Sequence, residues 1–324
     1  MAEQSPMLSS GTSTLGGLRY TFQLRGVPPA FANAIRRILL NEMPVVEVGN
    51  IEIHENTSLM PHEMLTLRTQ LLPVNVRPTE EDVIRSAKIS VRYYPSEEVR
   101  QITTDDFIVT GARSDILMKD PVLNTPLYFM KLKAGEALHV TASLRVNPLS
   151  SHVCVATYAN HVDEEKAEED KAIYMQENPS ADAERIFDTF YRQRSFLKNP
   201  KTHLPDWFDM TVESIGVVPA RDLLKDAIKQ LKEAVLKWAS SDIIRESEEN
   251  VYRVDVTSGG HTVGNLVQAI MYASGLTTFV SYDVPHPLRT DMRVRFRAEV
   301  PAEEVIAHVK TTITAMCDTC VGLI

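Results

Sequence analysis

Cys317 and Cys320 form a CxxC pair, the spacing in this sequence closest to a metal or redox motif. A structural zinc site needs four ligands, usually two such pairs or added histidines, and Cys154 is the only other cysteine. Both residues also fall on the apolar stripe of a helix predicted from Pro301 onward, where cysteine behaves as a small apolar side chain. The sequence therefore favours core packing for this pair over metal binding or thiol redox chemistry.

The nine histidines show no metal-ligand spacing such as HExxH. His54 and His62 flank a predicted loop, and His261 precedes a predicted helix that it can help to cap. The Gly259–Gly260 pair lacks the following lysine of a phosphate-binding P-loop. No GxSxG motif is present and no pair of catalytic carboxylates stands out. We therefore expect no active site, no metal and no cofactor.

Arg36 and Arg37 stand out because they interrupt an otherwise apolar helical pattern, beside Ile35 and Ile38. Two interpretations fit this position. The arginines can form the solvated edge of the helix, or they can anchor a partner protein, since arginine is enriched at interface hot spots.

Composition limits the class of protein. The chain has 324 residues, a net charge of −9, 44% hydrophobic and 24% charged residues, which is ordinary for a globular protein and excludes wholesale disorder. Three cysteines cannot build a disulfide framework, and no apolar run is long enough to span a membrane. The acidic run over residues 163–170 indicates a solvated face or, alternatively, a site for a basic partner.

The elements that would position these residues occur twice. A strand over residues 18–25, a helix opened by Pro28–Pro29 and a strand over 45–53 are followed much later by a strand over 252–256, a helix ending at Gly275 and a strand over 279–284. A shift of 232 residues places Asn33 on Asn265. The chain therefore holds two copies of a strand–turn–helix–strand unit, which can face each other across a pseudo-twofold axis.

This repeat predicts the domain organisation. We expect a flexible tail over residues 1–16, a discontinuous first unit over 17–53 and 204–245, and an inserted β-rich domain over 54–203 that includes an acidic segment over 160–203. A linker over 246–250 then leads to a second, smaller unit over 251–324. Long amphipathic helices opened by Pro219 and Pro301 complete the two units.

Three segments resemble one known family. Residues 24–74, with Asn33 and Arg36–Arg37, are similar to the start of α-like RNA polymerase subunits, which are called D in archaea and are the third-largest in eukaryotic RNA polymerase II. Residues 208–231, with the sequence VESIG, resemble the returning half of their dimerisation domain. Residues 261–296, with HTVGN and VPHPL, resemble their small partner, which is called L in archaea and is the eleventh subunit in eukaryotes. Both partners in one polypeptide resemble the fused subunit of large nucleocytoplasmic DNA viruses.

The resemblance implies an α+β fold in which the α-like dimerisation fold is duplicated within one chain around an inserted, mostly β subdomain. The helices beginning near Pro29 and Thr262 would pack against each other. Their interface would comprise Phe31, Asn33, Ile35, Ile38, Val263, Asn265, Leu266, Val267 and Ile270. The family also implies a docking role for Arg36 and Arg37. Some relatives hold zinc or an iron–sulfur cluster on cysteines of the inserted domain, and here only Cys154 lies in that region.

The implied function is a non-catalytic assembly platform of a DNA-directed RNA polymerase. Its partners would be the largest and second-largest subunits and a small subunit of the platform, with DNA reached only through the complex and no membrane involved. The expected location is intracellular, in a host nucleus or a cytoplasmic virus factory, with packaging in the virion left open. Two alternatives remain: a nucleic-acid-binding module using Arg293, Arg295 and Arg297, and a small-molecule enzyme with its site in the inserted domain.

Overall fold

A computed structural model describes residues 7–147, 151–286, 288–289 and 291–324. Its strands are β1 (Met7–Thr14), β2 (Arg19–Arg25), β3 (Val45–Asn56), β4 (Lys88–Tyr93), β5 (Arg100–Thr103), β6 (Ile108–Thr110), β7 (Tyr128–Leu132), β8 (Leu138–Asn147), β9 (Val153–Asn160), β10 (Trp207–Ser214), β11 (Ile243–Arg245), β12 (Val251–Val256), β13 (Thr277–Asp283) and β14 (Met292–Ala298). Its α-helices are α1 (Pro29–Asn41), α2 (His62–Gln70), α3 (Glu81–Ser86), α4 (Glu164–Glu177), α5 (Ala183–Ile186), α6 (Ala220–Ala239), α7 (Gly260–Ser274) and α8 (Ala302–Leu323).

The chain divides into two compact units. The larger contains the described parts of Met1–Leu39, Val155–Glu213 and Ala220–Ile324, and the smaller those of Leu40–Cys154 and Ser214–Pro219. These bounds differ from the predicted ones, which ended the first unit at residue 53 and assigned residues 54–203 to the insertion. The mixed helices and antiparallel sheets agree with the predicted α+β class.

The larger unit contains two sheets with the same topology. The first has the order β1-β2-β10-β9 and the second the order β11-β12-β14-β13. In each sheet the two central strands pair antiparallel, β2 with β10 and β12 with β14. One helix follows the first central strand, α1 or α7, and another follows the second, α6 or α8. We call the described residues of 7–39, 155–213 and 220–239 the first half, and those of 243–324 the second half.

Burial along the helices confirms this repeat residue by residue. Shifting the buried positions of α1 by 232 residues gives those of α7, so that Ala30 corresponds to Thr262, Ala32 to Gly264 and Ile38 to Ile270. A shift of 82 residues relates α6 to α8 in the same way at seven buried positions. The two helices also start alike, because Val-Pro precedes each and alanine is the first helical residue in both. The predicted 232-residue repeat is therefore correct for the helices.

The prediction was wrong about the strand that ends the first copy. Strand β3, which covers the predicted strand over residues 45–53, pairs with β8 in the smaller unit. The counterpart of β13 is instead β9, which returns to the first sheet beside β10. Sequence spacing could not reveal this, because more than 100 residues separate α1 from β9.

The expected loose tail over residues 1–16 needs correction as well, since Met7–Thr14 forms β1 and pairs with β2. Gly11 allows this pairing, because a Cβ there would lie 1.9 Å from the hydroxyl of the buried Tyr20. Leu15–Gly17 then forms a 3₁₀ turn. Residues 1–6 lie outside the described ranges.

The predicted acidic segment is an ordered part of the first half. Asp163 caps α4 by accepting a hydrogen bond from the backbone N–H of Lys166. Asp170 accepts a hydrogen bond from the buried Ser195, and Lys171 pairs with Glu184 at 2.8 Å. Phe187–Tyr191 forms a π turn after α5. Several of these charges thus serve internal contacts, and residues Val155–Glu213 belong to the larger unit.

The smaller unit is built mostly of strands, in the sheets β3-β8-β4-β6 and β5-β7. Its core includes Val48, Leu65, Ile89, Ile102 and Phe129. The buried Glu47 carboxylate accepts hydrogen bonds from Arg145 at 2.7 Å and from Gln70 at 3.1 Å, which ties α2 to the sheet. Among the described helices of the whole chain, none has the length and apolarity to cross a membrane.

Gly264 provides a test of helix-to-sheet packing in the second half. A Cβ at this position would lie 2.5 Å from the ring of Tyr282 and 2.8 Å from Sδ of Met292. We expect Gly264→Ala to lower the free energy of unfolding by about 1–3 kcal/mol, measured by urea denaturation. Gly322→Ala is the matched control, because nothing lies within 4 Å of its added Cβ. Equal stability of the two variants would contradict the close packing of α7.

Candidate functional site: the contact surface between the two halves

The main contact between the halves is a helix pair that joins equivalent elements. Helix α6 of the first half packs against α8 of the second, and α6 also contacts α7. Strand β1, at the edge of the first sheet, contacts α8. The apolar stripes of α6 and α8 thus lie where one half meets the other.

A polar contact accompanies the α6–α8 packing. Nζ of Lys232 lies 2.6 Å and 2.9 Å from the two carboxylate oxygens of Asp318. The side chains are 31% and 58% exposed respectively, so solvent screens this ion pair. Apolar packing therefore contributes most of the stability here.

Cys317 and Cys320 belong to the buried stripe of α8. They occupy the positions that Val235 and Trp238 fill in α6, which explains their helical spacing. The prediction of core packing is confirmed. Burial raises the pKa of each thiol to about 12, because a thiolate would lose its hydration.

The two adjacent arginines of α1 make different contacts. Nε of Arg37 donates a hydrogen bond of 2.9 Å to the hydroxyl of Thr262, in the first turn of α7. Arg36 instead donates from Nε and Nη2 to the side-chain oxygen of Asn33, at 3.1 and 2.9 Å on its own helix. Arg37 thus joins the halves, whereas the contact of Arg36 fixes its guanidinium along the surface of α1.

The residues predicted at the interface differ in burial. Seven are buried, namely Phe31, Ile35, Ile38, Val263, Leu266, Val267 and Ile270. Asn33 is half-buried and holds Arg36, whereas Asn265 is exposed on α7. Burial alone does not separate packing on the own sheet from packing across the halves, because α7 also contacts β13 and β14. The assignment of these residues to the interface stays a prediction.

Sequence reasoning missed three parts of this surface: the α6–α8 packing, Thr262 and β1. The repeated Val-Pro-Ala, with its 82-residue shift, was the signal that could have paired α6 with α8. Nothing in the sequence identified Arg37 and Thr262 as partners, since 225 residues separate them.

The predicted basic stripe of β14 is largely paired with acidic side chains. Arg295 contacts Glu246 at 2.7 Å and Glu248 at 3.5 Å, and Arg293 contacts Asp255 at 3.3 Å. The segment predicted as a linker thus lies against the second sheet and neutralises part of the stripe. This pairing weakens the alternative of a nucleic-acid-binding face.

Across the described ranges, no group of three His, Cys, Asp or Glu side chains could hold a metal ion. His54 and His139 lie with ring centroids 4.5 Å apart in the smaller unit. His161 stacks on Trp207 and pairs with Asp209 at 2.9 Å in the first half. The surface between the halves, where side chains and helices of both halves meet, is the strongest candidate site.

Thiol reactivity tests the burial of α8. We expect Ellman's reagent to titrate one thiol in the native protein, the exposed Cys154, and all three in denaturant. Cys317 and Cys320 are buried and their raised pKa keeps them protonated. Cys154→Ser is the control and should abolish the native reaction. Fast reaction of two or three native thiols would show that α8 is not packed as described.

Comparisons with known proteins agree with this duplicated architecture. Residues 21–235 match the family model of the RNA polymerase Rpb3/Rpb11 dimerisation domain, and residues 252–321 match a second model of the same description. The Rpo3 subunit of DNA-directed RNA polymerase from Natronomonas pharaonis is 25% identical over 231 residues, which cover 65% of this chain and 87% of the relative.

Eukaryotic relatives give the same result. The RPB3 subunit of RNA polymerase II from Schizosaccharomyces pombe is 24% identical, with 65% of this chain and 80% of the relative covered. The rpac1 subunit of RNA polymerases I and III from Dictyostelium discoideum is 23% identical, with 64% and 74% covered. The chain belongs to the RNA polymerase Rpb3/Rpb11 dimerisation domain family and carries this domain twice.

Proposed function

We propose that the chain is a non-catalytic assembly subunit of a multisubunit DNA-directed RNA polymerase. Its two halves pair within one molecule and together offer a platform to the largest and second-largest subunits and to a small platform subunit. Nucleotide addition is carried out by the large subunits. The observation that carries this proposal is the presence of two dimerisation domains whose equivalent helices, α6 and α8, pack against each other.

Joining the halves in one chain changes how they meet. Separate subunits associate by diffusion, whereas a short tether gives an effective concentration on the order of millimolar. The connection from α6 to β11 is short, since α6 ends at Ala239 and β11 begins at Ile243. The tether is therefore expected to speed pairing without supplying the contacts that maintain it.

We further propose that α1 presents the docking surface for the second-largest subunit through its arginine pair. Arg36 is half-buried and held by Asn33, which limits the freedom that its guanidinium would lose on binding. A guanidinium held in this way suits a carboxylate of a partner, because arginine can form two parallel hydrogen bonds with it. Arg37 contributes less to docking in this proposal, since it already contacts Thr262.

The presence of both domains in one polypeptide also supports a place in the transcription machinery of a large nucleocytoplasmic DNA virus. The protein would then act in the host nucleus or in a cytoplasmic virus factory. Mass spectrometry of the complex purified through a tag on this chain tests the setting. Viral large subunits are expected, and cellular ones would contradict it.

Cleaving the tether tests the pairing. A protease site inserted between Ser241 and Asp242 lies between α6 and β11, and Asp242 is exposed. We expect the cleaved halves to co-elute from a sizing column at micromolar concentration, because α6 and α8 stay packed. Cleaved protein in urea is the control and should give two fragments. Separation without urea would refute the pairing.

Charge reversal on α1 tests docking. We expect Arg36→Glu to reduce co-purification of the second-largest subunit at least tenfold, because a carboxylate would face the acidic partner group. The unfolding midpoint should change little, since the side-chain hydrogen bonds of Arg36 go to Asn33, one turn away on the same helix.

Arg185→Glu is the matched control for this charge reversal. The side chain of Arg185 is 77% exposed. Arg185 lies in α5, which is distant from α1 in sequence. Normal complex yield with Arg36→Glu, or an equal loss with Arg185→Glu, would overturn the docking role.

A further inference from the structure

We propose that one-sided polar contacts make the first half pair with the second half and oppose pairing of like halves from two copies of the chain. This inference rests on the proposed intramolecular pairing and deepens it. The residues that determine the choice of partner are Arg37 and Thr262, with a smaller contribution from Lys232 and Asp318.

The two halves are similar domains that contact each other through equivalent helices. When two similar domains meet across a twofold axis, every contact occurs twice. If residue i of the first domain contacts residue j of the second, the residue equivalent to j in the first domain contacts the residue equivalent to i in the second. We call this second contact the mate of the first. Here equivalent elements touch each other: α6 packs against α8, and α1 reaches α7 through Arg37 and Thr262. The buried positions of the equivalent helices also coincide. The shifts of 232 and 82 residues therefore identify the residues that would form the mate of each of these contacts.

The mate of the Arg37–Thr262 hydrogen bond has no polar side chain. Shifting by 232 residues turns Arg37 into Ala269 and Thr262 into Ala30. Two alanines cannot form a side-chain hydrogen bond. The contact therefore exists on one side of the axis only.

The ion pair between α6 and α8 is one-sided in the same sense. Shifting by 82 residues turns Lys232 into Thr314 and Asp318 into Leu236. The mate of this ion pair thus joins a hydroxyl side chain and an apolar one, without a charge on either.

Pairing of two first halves would therefore lose both polar contacts. Each Arg37 would meet Ala30, which is 9% exposed and offers no side-chain acceptor. Each Lys232 would meet Leu236 instead of Asp318. A pair of first halves would thus carry four cations that had lost their partners, and such losses are a common basis of specificity.

Pairing of two second halves would lose the same contacts from the other side. Each Thr262, which is 2% exposed, would lose the guanidinium of Arg37 and face Ala269. Each Asp318 would meet Thr314. The unlike pair is thus the arrangement in which all four polar residues have matching partners.

The two contacts differ in weight. Thr262 is buried, whereas Lys232 and Asp318 are substantially exposed and their attraction is screened by solvent. The hydrogen bond between Arg37 and Thr262 is accordingly the contact to test.

A double-mutant cycle on the full chain measures this contact. Arg37→Met and Thr262→Val each remove one hydrogen-bonding group and keep a side chain of similar size. We expect the two substitutions to be strongly coupled in urea unfolding. The double variant should be no less stable than the less stable of the two single variants. The unfolding constant of the double variant should therefore differ at least fivefold from the value expected if the two effects were additive. Thr262→Ser keeps a hydroxyl and is the control that should retain the coupling. Additive effects would overturn the proposal.

A second experiment moves the acceptor to the other half. In the variant Ala30→Thr with Thr262→Ala, the first half carries both Arg37 and its acceptor, so two first halves from two chains become complementary. We expect this variant to dimerise at least tenfold more tightly than wild type in sedimentation equilibrium. The variant Ala30→Val with Thr262→Ala is the matched control, because valine has the shape of threonine without the hydroxyl.

Equal sedimentation of the two double variants would overturn the selection of partners. If either variant fails to fold by circular dichroism, the double-mutant cycle decides alone. Neither measurement uses polymerase subunits, so failure here is distinguishable from failure of the proposed function. Separation of the halves after cleavage of the tether would refute the pairing itself, whereas additive cycles with halves that stay associated would refute only the role of Arg37 and Thr262.

Discussion

The packing of α6 against α8 is the constraint on which the larger unit depends. Each helix follows the second central strand of its sheet and carries an apolar stripe along most of its length. A helix of this kind must bury the stripe, since each fully buried Leu, Ile or Val contributes about 1.5–3 kcal/mol. Helix α6 contacts α8 of the second half as well as β2 of its own sheet. The two halves therefore complete each other.

Apolar and polar contacts contribute differently to pairing at this surface. The apolar stripes of α6 and α8 occupy equivalent positions, so every pair of halves can bury apolar surface, although the side chains that fill these positions differ in size. A charge-assisted hydrogen bond such as that of Arg37 contributes about 1.5–3 kcal/mol when it is protected from solvent, and an exposed ion pair about 0–1 kcal/mol. These energies are small beside the apolar total, yet they differ between like and unlike pairs. Affinity thus comes from the part of the surface that repeats, and selectivity from the part that does not.

The sequence predicted the features that local patterns determine. The alternation over residues 18–25 and the helical spacing of Phe31, Ile35 and Ile38 identified β2 and α1, and the 232-residue shift identified α7 as the counterpart of α1. Cys317 and Cys320 were placed in the core from their position on the apolar stripe of a helix and from the lack of further metal ligands. Each of these conclusions rests on periodicity within a single element, which reports directly on burial. The relation between α1 and α7 then follows from comparing two such local patterns.

The features that the sequence did not predict depend on contacts between distant segments. Strand β3 has a strand pattern as good as that of β9, and only the pairing with β8 assigns it to the smaller unit. The polar start of the chain lacks any strong strand pattern, and β1 forms because β2 offers it an edge. In the sequence Thr262 is only one residue of the HTVGN motif, and its partner Arg37 is one of two adjacent arginines in a distant helix. Patterns along the chain carry no information on such pairs.

Partner selection matters during synthesis, because the first half is made before the second. The first half is complete once α6 has been made, while α8 lies in the last part of the sequence. At ~5–20 residues per second, the roughly 85 residues that follow α6 take on the order of 4–17 s to add. During that interval the stripe of α6 lacks α8, and the first half of a neighbouring chain offers a similar stripe. The tether cannot prevent that encounter, because the second half does not yet exist. The absence of an acceptor at Ala30 and of a carboxylate at Leu236 opposes the like pair during that time, which leaves α6 available to the α8 of its own chain.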